Sequence, residues 1–177
     1  PVAPPPPPAA KPTLSTPQRE ALNKARIIVQ QKLISTMDLR RVDVTRMNED
    51  ELRTSTANLI GEIIATEPAR PAGVDRARLA KEVLDEAVGL GPLEDLLADP
   101  TVTEIMVNRF DQIYVERSGK LSLSDIAFTA EKNVVSAIER IVAPLGRRID
   151  ESSPMVDARL KDGSRVNAVM PPLALKG

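Results

Sequence analysis

The stretch PMVDARLKDGSRVNAVMPP, residues 154–172, takes this chain out of the all-helical class. Side chains alternate across a strand, so Val156, Ala158 and Leu160 share one face while Asp157, Arg159 and Lys161 share the other. On the return run Val166, Ala168 and Met170 alternate with Arg165, Asn167 and Val169, and Asp162-Gly163-Ser164 supplies the turn. The two apolar rows meet only across a loop with an odd number of residues, because a one-residue slip sends every side chain to the opposite face. The sequence therefore predicts a β-hairpin with a three- or five-residue loop, in which Leu160 faces Val166, Ala158 faces Ala168 and Arg159 faces Asn167. Arg165 then lies diagonal to Arg159, and Asp157 is close enough to orient one of them. Planar guanidinium forks suit two-point contact with phosphate oxygens, but a charged, solvated sheet face or an Arg–Asp packing pair has the same spacing.

Upstream of the hairpin, Thr129 reads as the cap of a helix whose Val134, Val135, Ile138, Ile141, Val142 and Leu145 face inward and which Gly146 closes. Before it come three short β-branched runs, 104–107, 112–116 and 120–124, with Ser118-Gly119 as a turn. Pro92 opens one short helix that stops at Asp99-Pro100. Strands, helix and hairpin in this order predict an α+β sandwich over 89–177, one small sheet with helices on one side.

The first half of the chain is helical in pattern. Residues 1–16 are dominated by proline, which fixes φ and lacks an amide hydrogen, and are expected to be a disordered or polyproline-type tail. From Thr16, a cap-like residue before Pro17, apolar residues return every three to four positions to about Met37. Asn48 and Glu51 form a capping pair for a second helix carrying Leu52, Leu59, Ile60, Ile63 and Ile64. A third runs from near Asp75 through Leu79, Val83, Leu84 and Ala87 to a glycine stop at Gly89. Amphipathic helices of this length need each other in water, so 17–88 reads as a three-helix bundle.

Composition limits the chemistry. With no Cys and no His, the chain has no disulfides, no thiolate or imidazole metal ligands and no His-based proton transfer. Net charge is −1, and aromatic residues are 2%, too few for a base-stacking platform, so a nucleic-acid partner is not expected. No apolar run reaches membrane-spanning length, which predicts a cytoplasmic protein without direct membrane insertion. The adjacent carboxylates Asp150 and Glu151 make a weak case for a hydrolase, since neighbours in sequence usually face apart.

Several stretches together carry a family resemblance: LAKEVLDEAVGLGPLEDLL at 79–97, TEIMVN at 103–108, IYVE at 113–116, GRRIDESSPMVD at 146–157 and NAVMPPLALKG at 167–177. Residues 78–177 resemble the N-terminal domain of tight-adherence pilus assembly motors, the CpaF/TadA-type branch of the type II/IV secretion ATPases. The resemblance implies a small PAS-like sheet-plus-helix fold and a regulatory and coupling domain of a homo-hexamer, peripheral at the inner membrane through pilus or secretion components that meet the N-terminal helices. It also implies that arginines of this domain approach ATP, with its Mg, held by a RecA-like motor domain. The positions carried over are Arg159 and Arg165, with Arg147 and Arg148 as further candidates; no catalytic or metal-ligating residue is expected within 1–177. The phosphate loop G-x-x-x-x-G-K-[ST] of such motors does not occur here. Residues 1–177 are thus expected to be a piece preceding the motor domain, inactive alone. A stand-alone protein-binding sensor or adaptor module is the alternative.

Overall fold

Ser15 opens the first helix: its amide and its hydroxyl both donate to Gln18 Oε1, at 3.0 and 2.9 Å. The helix, α1 (Thr16–Leu39), thus starts from a cap one residue before the expected Thr16, and it runs two residues past Met37. Ser15 wins because a glutamine stands three residues beyond it, whereas Thr16 has Arg19 there. The structure, a computed structural model, describes residues 14–40, 46–66, 74–160 and 163–174. Most of the proline-rich tail therefore lies outside the described residues.

Helix α2 (Glu49–Thr66) carries the expected reciprocal cap: Glu51 N donates to Asn48 Oδ1 at 2.9 Å, and Asn48 N donates to Glu51 Oε2 at 3.0 Å. Asp75 accepts from Ala77 N at 3.0 Å and caps α3 (Arg76–Val88). The apolar stripes meet as the periodicity requires. Leu22, Ala25, Val29 and Leu33 of α1, Leu59, Ile60, Ile63 and Ile64 of α2, and Leu79 and Val83 of α3 form one buried cluster. Mutual burial of these stripes supplies stability that none of the helices has alone.

The exit from α3 is a two-glycine device. Gly89 ends the helix where expected, its amide bonded to Asp85 O at 2.8 Å, but its φ is −114° and it is not the left-handed residue. That role falls to Gly91, with φ of 62° and an amide 2.9 Å from the same carbonyl. Pro92 then caps the short α4 (Leu93–Leu97).

Next comes an antiparallel meander, β1 (Val102–Arg109), β2 (Gln112–Arg117) and β3 (Lys120–Leu123), in that spatial order. Positive φ at both Ser118 and Gly119 makes their two-residue turn match strand twist. The inner face buries Ile113 and Val115 against Leu96, Phe128 and Ala137. Helix α5 (Glu131–Val142) supplies Ala137 and is flanked by Ala130 at its N-cap rather than by the expected Thr129. Thr129 is drawn away because a buried carboxylate claims both its amide and its hydroxyl, each at 2.7 Å. A 3₁₀ turn (Ala143–Leu145) follows, closed by left-handed Gly146. The changed helical pitch there turns Leu145 outward, contrary to the inward position expected of it, and leaves it exposed.

The hairpin, β4 (Met155–Arg159) and β5 (Arg165–Val169), forms a sheet of its own. The α+β class stands, while the expected single sheet becomes two. Val156 and Ala168 pack on Val142 and Ile149, with Ile138 and Ile141 of α5 alongside. The apolar row of the hairpin is thereby covered by a helix, and the meander need not extend to cover it.

Gly91 offers a sharp test of this packing. A Cβ there would sit 2.8 Å from Cε1 of the buried Phe128 ring, in addition to the strain of a positive φ. Gly91→Ala is expected to lower unfolding free energy by about 2 kcal/mol or more, read by chemical denaturation followed by circular dichroism. An unchanged midpoint would show that the α3–α4 corner is not packed as described.

Candidate phosphate-binding site

The hairpin pairs Met155 with Val169, Val156 with Ala168, Asp157 with Asn167, Ala158 with Val166 and Arg159 with Arg165. The face assignments are those expected, but the register is two residues away from the expected one. Residue Leu160 causes the difference: it leaves the ladder to close the turn, its amide reaching Ser164 O at 2.8 Å while its carbonyl accepts from Gly163 N at 3.0 Å. Val166 then pairs with Ala158, and the connection spans 160–164, the five-residue alternative. Gly163, with φ of 92°, makes this closure possible.

The slide moves Arg165 from a diagonal position to one directly opposite Arg159. Like charges facing each other across a strand pair repel, so each needs compensation. Arg165 obtains it from Asp157, with Nε 3.1 Å from Oδ1 and Nη2 2.6 Å from Oδ2, a two-point ion pair. Arg159 turns toward the loop, Nη1 donating to Gly163 O at 3.2 Å. Both residues of the ion pair stay open to solvent, with side-chain exposures of 66% for Arg165 and 52% for Asp157. Hydrogen bonding to Arg165, with the charges of Arg165, Arg159 and Arg147, holds the Asp157 carboxyl below the usual aspartate range.

Of the four arginines singled out in the sequence, Arg165 thus binds the Asp157 carboxylate, and Arg159 and Arg147 are near enough for their charges to act on it. Arg148 goes elsewhere, with Nε 3.4 Å from Asp150 Oδ2 and its side chain 81% exposed. Asp150 itself is a turn residue whose Oδ1 accepts from Ser152 N at 2.9 Å and Ser153 N at 2.8 Å. That commitment leaves little of it for acid–base work. Chemically, the hairpin face offers two planar guanidinium groups, Arg165 oriented by Asp157 and Arg159 by Gly163 O, of a kind suited to oxyanions.

A second polar cluster, which the sequence reading missed, lies between α1, α3 and α5. Arg26 and Glu86 are each only 4% exposed, and Arg26 Nη2 donates to Glu86 Oε2 at 2.7 Å. The other oxygen, Glu86 Oε1, accepts from Thr129 N, Thr129 Oγ1 and Asn133 Nδ2, all at 2.7 Å. Arg26 Nη1 adds bonds to Ala127 O and Asn23 Oδ1, both at 3.1 Å. A signal existed: Arg26 falls between Leu22 and Val29, and Glu86 follows Val83 by three, so both charges sit on apolar stripes. Among the described residues, no acidic group set fits a metal ion and no helix is long and apolar enough to cross a membrane.

The Asp157 pair has a pH signature. A lowered folded-state pKa makes the pair fully present above the ordinary aspartate range and lost as pH falls through the lowered value. A carboxyl titration by NMR is expected to place Asp157 below ordinary aspartates, and Arg165→Ala to move it upward. A midpoint unchanged by that substitution would contradict the pairing.

Two Mycobacterium tuberculosis sequences described as conjugal transfer proteins are each 34% identical over 98 residues, 52% of this chain and 28% of theirs. An uncharacterized protein of Methanocaldococcus jannaschii is 36% identical over 89 residues, 50% of this chain and 12% of that protein. This chain therefore spans less than a third of the length of these relatives. A crystal structure of the VirB11 ATPase from the Brucella suis type IV secretion system in complex with sulphate aligns with a TM-score of 0.41. It is 29% identical and covers 46% of this chain and 25% of that one. The profile of the type II/IV secretion system protein family matches residues 86–176, over half of the chain. The chain belongs to the type II/IV secretion system protein family.

Proposed function

We propose that this chain is the N-terminal regulatory and coupling segment of a hexameric, tight-adherence-type ATPase that powers pilus assembly or secretion. In this reading Arg159 and Arg165 reach the phosphates of ATP held by a RecA-like motor domain. The supporting observation is the placement of both arginines opposite each other on the open face of the hairpin, with Arg165 aimed by Asp157. Their N–H forks match phosphate oxygens, so the residues present fit that part of the nucleotide. They do not offer a magnesium site, because Asp157 is occupied by Arg165 and no acidic cluster stands beside it among the described residues. Magnesium ligands and the phosphate loop are assigned to the motor domain.

Phosphoryl transfer spreads negative charge over the equatorial oxygens of the moving group, and preorganised cations lower the barrier by meeting that charge. Arg159 suits this role better than Arg165. Its bond among the described residues is to a neutral carbonyl at 3.2 Å, whereas Arg165 must share its fork with a carboxylate at 2.6 Å. Arg147, within electrostatic reach of Asp157, adds to the positive field. The helical segment 17–88 is assigned to docking of inner-membrane pilus or secretion components. Ile27 and Ile34, one heptad apart on α1 and both exposed, mark the side it offers.

In the complete protein, Arg159→Ala or Arg165→Ala is expected to lower ATP turnover by about 10²–10³, the order lost with one preorganised charge donor. Unchanged turnover in a folded hexamer would assign both arginines to structure. Ile27→Lys combined with Ile34→Lys is expected to leave the fold intact and to stop pilus assembly or secretion in cells; normal assembly would remove the docking role.

A further inference from the structure

We infer that Glu86 and Arg140 are positioning residues that transmit the pose of the α1–α3 helices to the arginine hairpin through α5. Both fastenings are on the same side of that helix. Near its start Asn133 Nδ2 donates to Glu86 Oε1 at 2.7 Å. Seven residues later, two turns on, Arg140 clasps the end of α3: Nη2 donates to Ala87 O at 2.6 Å, and Nη1 to Gly89 O at 2.7 Å and Glu86 O at 3.4 Å. The last carbonyls of a helix have no partners within it, so a guanidinium placed there satisfies them and meets the negative end of the dipole. Arg140 is half-buried where it makes these contacts, and the loss of water around it lowers its pKa.

The remaining links are apolar. The far end of α5 forms the floor of the hairpin, where Ile138, Ile141 and Val142 pack with Val156 and Ala168. On the other side of the joint, Arg26 ties α1 to Glu86 at 2.7 Å and also reaches Ala127 O. Gln30 of α1 is bonded to Thr129 Oγ1 at 2.7 Å. A displacement of the helical segment therefore pulls on α5 at two points, and α5 carries the hairpin with it. Packed helices shift as units because their cores do not deform continuously. The consequence for ATP turnover rests on the arginine reading given above; the mechanical link does not.

Hydrogen–deuterium exchange on the full chain, without nucleotide, tests the link. Glu86→Gln keeps the shape of the side chain but sets an amide N–H₂ or a neutral oxygen against Arg26. Its hairpin amides, within 155–169, are expected to exchange about tenfold or more faster relative to the β1–β2 ladder. Arg140→Lys, which keeps the charge but cannot span three carbonyls, is expected to do the same. Arg53→Gln, which releases only Asp85 at 3.0 Å, should leave the hairpin unchanged. Faster exchange confined to α1 and residues 127–133, or equal acceleration everywhere, would overturn the inference. If Glu86→Gln does not fold, Arg140→Lys decides alone, with an unchanged hairpin as the overturning result. A hairpin that responds in exchange while Arg159→Ala leaves ATP turnover unchanged would keep the link and remove the nucleotide reading.

Discussion

A buried carboxylate organises this molecule. Glu86 has left water almost completely, which would cost several kcal/mol if its charge were unmatched, of the order that drives buried acids to neutralise. Instead its two oxygens receive four donors, one from a guanidinium, two from Thr129 and one from Asn133. The donors come from α1, from the turn before α5 and from α5 itself, so satisfying one side chain fixes three parts of the chain at once. Apolar clusters on either side then have a defined relation: the helices share one core, and the meander and α5 share another. Hydrophobic burial supplies the bulk of the driving force but has no directional preference; the carboxylate supplies the direction.

How much of this was legible depended on the range of the interaction. Local grammar was readable. Asn48 with Glu51 announced a helix start, and the alternation in 154–172 announced which side of the hairpin would be apolar. The hairpin register was not: Leu160 was expected opposite Val166, and the pairing lies two residues away because Leu160 and Gly163 close the turn, which the alternation does not announce. Thr129 shows a different limit. By local preference it is an excellent helix cap, yet a carboxylate 43 residues away in the chain outbids that role. Nothing within its own neighbourhood announces this.

The candidate site divides in the same way. That Arg159 and Arg165 would share the open face followed from a period of two, and Asp157 as the orienting partner followed from its place on that face. The direct opposition of the two arginines did not follow, nor did the departure of Arg148 toward Asp150. Arg26 and Glu86 were visible as charges on apolar stripes, but one sequence cannot show that two such anomalies 60 residues apart answer each other. Irregular charge on a buried stripe is most informative when two are read together.

The separation of the hairpin from the meander carries a mechanical consequence. Among the described residues no ladder joins the two sheets, so the ribbon bearing the arginines can be re-aimed without unzipping a single inter-strand backbone bond between them. Its seat is apolar, with Val156 and Ala168 packed on Val142 at the end of α5 and on Ile149, so the ribbon follows that helix as one body. Had the ribbon been stitched onto the meander, the same motion would have required tearing a sheet edge, and the guanidinium groups would be fittings of a wall instead of fingers on a hand.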